Sequence, residues 1–432
     1  MTFKVGLLGL GTVGTGTAEI LLSPDGRHPL LKEIGISACG VRSLDKPREV
    51  QLPSEVMTQD LESIVSDPDI DIVVELIGGL EPARSLILKA IANGKHIVTA
   101  NKAVISRYGD EIFTVANEVG VYVFIEAAVG GGIPVIQPLK QSLGVNRINS
   151  VIGIINGTTN YILTRMTAEG ADFTDVLADA QELGYAEADP TADVDGLDAA
   201  DKIAILASLA FGGRINLDEV YCEGIRGCSA ADIAYGDKLG FVIKLLAIAQ
   251  RKDTRSKELQ VRVHPTFLPK DHPLASINDV YNAILVAGDP LGQVMFFGPG
   301  AGAGATASAV VSDIVNIVAT LKNSGNQAKQ NHPLFSCSHQ EYCIVTPIEE
   351  LVSRFYVRFL TEDTPGVIGH LGTCFGNHEV SLESIVQIGF QNKLAEIVVV
   401  THDVREGNFR QAMGEIEALP AINSVPSIVR VL

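Results

Sequence analysis

At 432 residues, 46% hydrophobic and 19% charged, the chain has the composition of a globular protein of two to three domains, each able to bury a core, which argues against a disordered chain. A formal net charge of −18 argues against nucleic acid and anionic membrane as partners, since both reward a basic face. No uncharged apolar stretch reaches membrane-spanning length, the opening VGLLGLGTVG lacks a signal peptide's basic flank and cleavage site, and six cysteines lie scattered without a CxxC pair, so the expectation is a cytoplasmic protein with reduced, packed thiols.

Phe3 to Leu8 is a short apolar run that leads at once into Gly9-Leu10-Gly11-Thr12-Val13-Gly14 and a helical pattern from Thr15 to Leu22. This is the strand, turn and helix that a GxGxxG fingerprint requires: the glycines let the backbone approach a pyrophosphate, and the helix N-terminus offers free N–H groups. Alternation continues through strands at 35–41, 70–76, 96–99 and 121–125 and helices at 82–93 and 104–119, predicting a Rossmann-type, doubly wound parallel sheet of α/β class. The second strand ends in Val41-Arg42-Ser43, where an NAD site carries an acid for the ribose hydroxyl. Arg42, with Lys46 and Arg48 behind it, suits a 2′-phosphate and favours NADP(H) over NAD(H); the alternative is three solvated loop charges. Gly78, in Ile77-Gly78-Gly79, and Lys102, in Thr99-Ala100-Asn101-Lys102, follow successive strands at the carboxyl edge, where this architecture binds ligands.

Glu126-Ala-Ala-Val129-Gly130-Gly131-Gly132-Ile133-Pro134 ends the last of these strands, and its glycines suit either an all-oxygen site for a hard cation or a hinge. A strand at 150–155, the turn Asn156-Gly157-Thr158-Thr159-Asn160 capping a helix to Met166, and a helix at 175–183 follow. Between Glu187 and Lys202 stand six carboxylates (Glu187, Asp189, Asp193, Asp195, Asp198, Asp201) and one closing lysine. A calcium loop beginning at Thr191 fails at its twelfth position, which is Lys202 instead of a bidentate Glu. From Leu197 the pattern is helical, so Asp198 and Lys202 share a face one turn apart. Strand-like runs at 261–267, 283–286 and 294–297 predict a second, largely β layer in an α+β substrate domain. A glycine-rich helix start at 298–304 precedes an apolar helix at 306–321.

The last eighty residues read as strand 353–360, helix to Phe375, strands 380–389 and 395–401, helix 408–419 and strand 427–431, the βαββαβ order of a ferredoxin-like module.

The motifs GLGTVG, TANKAVIS (99–106), EAAVGGGIP, GIINGTTNYIL (153–163), GYAEADPTADVDGLDAADK (184–202) and GPGAGAGATASAVVSDI (298–314) together resemble homoserine dehydrogenase, and DTPGVIGHLGTCF (363–375) resembles an ACT domain. The resemblance implies reversible NAD(P)H-dependent reduction of L-aspartate 4-semialdehyde to L-homoserine in threonine, methionine and isoleucine biosynthesis. By position, Lys202 matches the family's proton donor and acceptor, Asp198 and Glu187 its substrate-binding carboxylates, and Lys102 a lysine near cofactor and substrate. Thr12, Val13, Gly184 and Gly302 match cofactor contacts, and Glu126, Val129, Gly131 and Ile133 the residues that hold a sodium ion, largely through backbone oxygens. L-threonine, the pathway product, is the natural candidate effector for the ACT module; the alternative is a dimerisation module without ligand. The layout expected is a dinucleotide domain at 1–128 completed by the helix near 305–325, a catalytic and dimerisation domain at 129–304, a linker at 330–352 and the ACT module at 353–432, in a homodimer or homotetramer. Asp189, Asp193, Asp195 and Asp201 have no role from sequence. The rival readings are a non-catalytic dinucleotide and amino-acid sensor, or another Rossmann amino-acid or semialdehyde dehydrogenase.

Overall fold

A computed structural model describes residues 2–252, 256–324, 332–336 and 341–432; Cys337 and positions 330, 331 and 337–340 of the expected linker lie outside these residues. In chain order the elements are β1 (Phe3–Leu8), α1 (Thr12–Leu22), β2 (Ile34–Gly40), β3 (Met57–Thr58), α2 (Leu61–Ser66), β4 (Ile72–Glu75), α3 (Ala83–Ala92), β5 (His96–Thr99), α4 (Lys102–Val119), β6 (Val123–Phe124) and α5 (Ile136–Lys140). Next come β7 (Arg147–Ile154), α6 (Gly157–Glu169), α7 (Phe173–Glu182), α8 (Thr191–Val194), α9 (Leu197–Phe211), β8 (Tyr221–Cys222), α10 (Ala230–Lys238), β9 (Phe241–Arg251), β10 (Glu258–Pro269), β11 (Tyr281–Asp289), β12 (Gly292–Pro299) and α11 (Ala303–Ser324). The C-terminal elements are β13 (Ile344–Val345), β14 (Val352–Thr361), α12 (Val367–Asn377), β15 (Leu382–Gln391), β16 (Leu394–Thr401), β17 (Val404–Arg405), α13 (Glu406–Glu417) and β18 (Ile422–Val431).

Two compact units emerge: Met1–Val151 with Asp201–Leu217 and Tyr281–Cys343, and Ile152–Ala200 with Asp218–Val280 and Ile344–Leu432. In the first, six strands run parallel in the order β3-β2-β1-β4-β5-β6, the doubly wound arrangement. One face of this sheet is covered by α1 and α11, whose Val310, Ile314, Ile317 and Val318 are fully buried among Val5, Leu7, Ile72 and Val74. The helices approach closely at Gly16, where a Cβ would stand 3.0 Å from both the Ala303 carbonyl oxygen and the Ala307 Cβ. By length and composition Ala303–Asn323 is apolar enough to cross a membrane, but that face belongs to the core and the helix carries the wholly buried Asp313. The hairpin β11–β12 also belongs to this unit, in register from Tyr281↔Pro299 to Gly288↔Gly292.

In the second unit strands follow the order β9-β10-β18-β14-β16-β15. β9 (FVIKLLAIAQR) is a nearly continuous apolar run buried on both faces and has no polar alternation to mark it, so it was not expected from sequence; α10 was not expected either. The C-terminal module has βαββαβ order with spatial order β18-β14-β16-β15, its helices α12 and α13 packed on the sheet around Phe355, Phe359, Phe375, Phe409 and Ile416. Strand β18 starts at Ile422, earlier than expected, because its exposed first half is too polar to read as a strand. The module joins the rest of the unit by main chain: β18 pairs parallel with β10 through Thr266↔Arg430 and Phe267↔Val431. A buried ionic cluster reinforces the join: Arg358 on β14 donates to Asp232 on α10 (2.6 and 3.0 Å) and to Glu396 on β16 (2.9 Å), and the Tyr356 hydroxyl donates to Asp232 (3.1 Å).

Candidate active site

The loop after β1 has the shape a pyrophosphate requires. Gly9 adopts φ +108°, and a Cβ on Gly14 would collide with the Gly9 carbonyl oxygen, so neither position accepts a side chain. Around Gly11, by contrast, a Cβ would meet nothing within 4 Å. Gly11 caps α1 without a side-chain hydrogen bond, and the first turn, beginning Thr12-Val13, holds no acid, leaving the amides and dipole to an anion. Gly78 (φ +70°) and Gly302 (φ +115°), in the same unit, are open in the same way. The residues present therefore fit a dinucleotide. Arg42 is exposed after β2; Arg48 instead folds back on the loop, donating to the carbonyls of Ser43, Leu44 and Lys46.

Sequence reading missed the residue that organises this edge. Glu75, fully buried at the end of β4, accepts from the Ile77 and Gly78 amides (2.9 and 3.1 Å) and from the Thr99 hydroxyl (2.6 Å). Thr99 accepts from the Asn101 amide (3.0 Å), while the Asn101 side chain caps α4 at Val104 and donates to the Gly79 carbonyl (2.7 Å). One polar network thus fixes both the Gly78 turn and the first residue of α4, Lys102. An acid ending an apolar strand was the available signal.

Lys202 is half-buried on α9, and the adjacent Asp201 accepts from Ser106 and Arg107 on α4, both at 2.8 Å. Ser106 is one turn beyond Lys102, so Asp201 ties the lysine-bearing turns of the two helices. Asp201 thereby joins α9 to α4.

In the second unit the acidic segment resolves into separate jobs. Asp198, buried, and Asp193 both accept from the Asn156 amide nitrogen, at 2.9 and 2.7 Å. Asp195 pairs with Arg226, and Asp189 accepts from the Thr191 amide. Between α8 and α9, Gly196 turns at φ +84° in space bounded by Cys222 and Val263. Glu187 lies exposed on the loop after α7 with Gly184 (φ +77°); Gln181 donates to the Glu187 carbonyl (3.0 Å) and Thr158 to the Tyr185 carbonyl (2.8 Å).

Around Glu126 the carboxylate is committed to protein: it accepts from the amides of Val135, Ile136 and Gln137 at 2.6 to 2.8 Å. Burial raises its pKa, and that of Asp313, which accepts from the Glu126 amide, is raised well above the usual carboxylate range by burial and by Glu126. No cluster of three or more His, Cys, Asp or Glu side chains fit for a metal occurs among the described residues. Gly130 and Gly131 are left-handed (φ +75° and +55°), Gly131 is packed against Gly300, and with the Glu126 carboxylate taken by amides the oxygens this turn could give a cation are main-chain carbonyls. The other Asp313 oxygen is buried without a hydrogen-bond partner.

Family models match three segments: homoserine dehydrogenase, NAD binding domain, at residues 9–126; homoserine dehydrogenase at 134–315; and ACT domain at 355–421. A homoserine dehydrogenase of Synechocystis sp. is 70% identical over 433 residues, covering 100% of both chains. That of Neisseria gonorrhoeae is 42% identical, covering 99% of this chain and 98% of its own. Among solved structures, a homoserine dehydrogenase from Thiobacillus denitrificans superposes with a TM-score of 0.92 at 41% identity, covering 100% of this chain and 98% of its own.

Proposed function

The chain belongs to the homoserine dehydrogenase family, and from that premise we propose that it interconverts L-aspartate 4-semialdehyde and L-homoserine with Lys202 as the proton shuttle. Neither rival reading, a non-catalytic sensor or another Rossmann dehydrogenase, accounts for such similarity along the whole chain. When bound, the reduced nicotinamide supplies the hydride to the aldehyde carbon. Lys202 donates a proton to the resulting alkoxide oxygen and takes it back in the reverse direction. Asp198 and Glu187 hold the substrate ammonium, and Lys102 contacts substrate and cofactor. The observation that carries this reading is the Asp201 tie, which draws the Lys102 and Lys202 turns together. The cheapest test is NADPH oxidation with aspartate semialdehyde as sole substrate. Lys202→Ala should abolish turnover while cofactor affinity stays nearly unchanged, and retention of even a tenth of kcat would refute the shuttle.

Cofactor residues are assigned as Gly9, Gly11, Thr12, Val13, Gly14, Arg42, Gly78, Lys102, Gly184 and Gly302, with NADP(H) preferred because Arg42, the first cation after β2, is exposed, as is Lys46. Sodium is assigned to the backbone oxygens of Glu126, Val129, Gly131 and Ile133, supported by the commitment of the Glu126 carboxylate to three amides. L-threonine is the proposed ACT effector. Assembly as a homodimer or homotetramer is supported by the open edge of β15, where Val386 and Phe390 are 46% and 62% exposed. Among the described residues Cys39, Cys228 and Cys374 are buried, which agrees with the proposed cytoplasmic location.

A further inference from the structure

We infer that Asn156 is a positioning residue for homoserine, acting through Asp198; the inference rests on the assignment of Asp198 to the substrate ammonium. Asn156 is the N-cap of α6 and 5% exposed. Its oxygen accepts from the Thr159 amide (2.8 Å) and hydroxyl (2.9 Å). A main-chain amide can only donate, so this contact fixes which end of the side-chain amide is oxygen and turns the NH2 toward the acids. Those two N–H groups are divided between Asp193 on α8 and Asp198 on α9, at 2.7 and 2.9 Å. Carboxylates cannot hydrogen-bond to each other when both are ionised, and a neutral double donor between them holds both in place without adding charge. An ammonium placed there would compete with the substrate.

The donor is itself held rigid. A Cβ on Gly157 would stand 2.9 Å from the Val280 carbonyl oxygen, so the first turn of α6 abuts the loop before β11. One turn on, fully buried Asn160 accepts from the Lys244 ammonium (3.2 Å) and donates to the Asp279 carbonyl (2.9 Å), while Lys244 also donates to Asn278 (3.0 Å) and to the Ile277 carbonyl. The same α6 turn reaches the Glu187 loop, because the Thr158 hydroxyl donates to the Tyr185 carbonyl. One helix start therefore supports both carboxylate segments assigned to the ammonium, and an error in its position moves Asp198 away from the substrate.

Asn156→Asp separates this role from helix capping, because it keeps the oxygen that caps Thr159 and replaces the donor with a third acceptor. Asn156→Ser, also a sound cap, replaces the two amide donors with a single hydroxyl on a shorter side chain, which cannot serve both acids and adds no charge; it serves if the aspartate variant folds poorly. Both variants should raise the KM for homoserine by about tenfold or more, the usual effect of losing a hydrogen bond to a charged group, and leave the KM for NADP+ within about twofold. Combined with Asp198→Asn, each should add little further loss, since both act on the same carboxylate. An unchanged homoserine KM in folded Asn156→Ser, or full additivity with Asp198→Asn, overturns the inference. If Asp198→Asn alone leaves the homoserine KM unchanged, the fault lies in the assignment of Asp198. A rise for Asp198→Asn without one for Asn156→Ser counts against Asn156 alone.

Discussion

Lys244 stands almost fully buried on β9, and desolvation pushes its pKa down to about 8 although Asp279 opposes the shift. Between pH 8 and the ordinary lysine value of 10.5 the unfolded chain therefore binds more protons than the folded one, and stability should rise with pH across that window. The gap in Tm between the wild type and Lys244→Met should shift in favour of the wild type from pH 7.5 to pH 10; a constant gap would sink this account. Arg42 and Arg48 invite a similar dissection. Arg42→Ala should weaken NADP(H) binding by about tenfold with little effect on NAD(H), as expected for loss of a charge-assisted contact to a phosphate. Arg48→Ala loosens the loop that Arg48 folds, and should affect both cofactors alike. An equal loss of both cofactors in Arg42→Ala would assign Arg42 to the loop as well.

Elements show why some of the site was legible and some was not. The β1–α1 turn announces itself because its glycines are required by contacts of a few residues' range, such as Gly14 against Gly9. The α9 helix was legible from its apolar stripe, and with it the one-turn spacing of Asp198 and Lys202. Partners distant in sequence were not legible: Asn156 with Asp198, Ser106 with Asp201 and Glu75 with Thr99 are 42, 95 and 24 residues apart. Nothing local in periodicity or composition marks such pairs. Gly196 is an intermediate case, a glycine read as part of an acidic run that proves to be a left-handed turn between α8 and α9. Gly196→Ala should lower kcat/KM for homoserine and reduce stability by about 1 kcal/mol or more, measured by kinetics and urea unfolding, because a Cβ there is strained at φ +84° and stands 3.0 Å from the Cys222 sulfur.

At the scale of the whole molecule, the βαββαβ module is built into the second unit. Replacing Arg358 with Met would leave Asp232 and Glu396, 1% and 6% exposed, as buried acids without their cation. Breaking such a pair costs about 3–5 kcal/mol, so Arg358→Met should lower the thermal midpoint sharply, and a shift of less than a few degrees would show that the cluster contributes little. Deleting residues 350–432 strips the same partner from Asp232 and uncovers β10, so loss of threonine response in that truncation would not by itself assign an effector site. A second link runs from Arg430 on β18 to Glu223 (2.8 Å) and through the 222–226 loop to Asp195, which pairs with Arg226.

β10 is the common support: it pairs with β9 along its length, with β8 at Arg262 and Val263 and with β18 at Thr266 and Phe267. Amides on β10 and β18 should consequently share one opening event and exchange with solvent at one rate, without the early, separate exchange of an appended bead. Such a module is not a portable cassette. A replacement drawn from another protein would have to bring its own last strand in the right register and an arginine for Asp232, or β10 would be left with a raw edge.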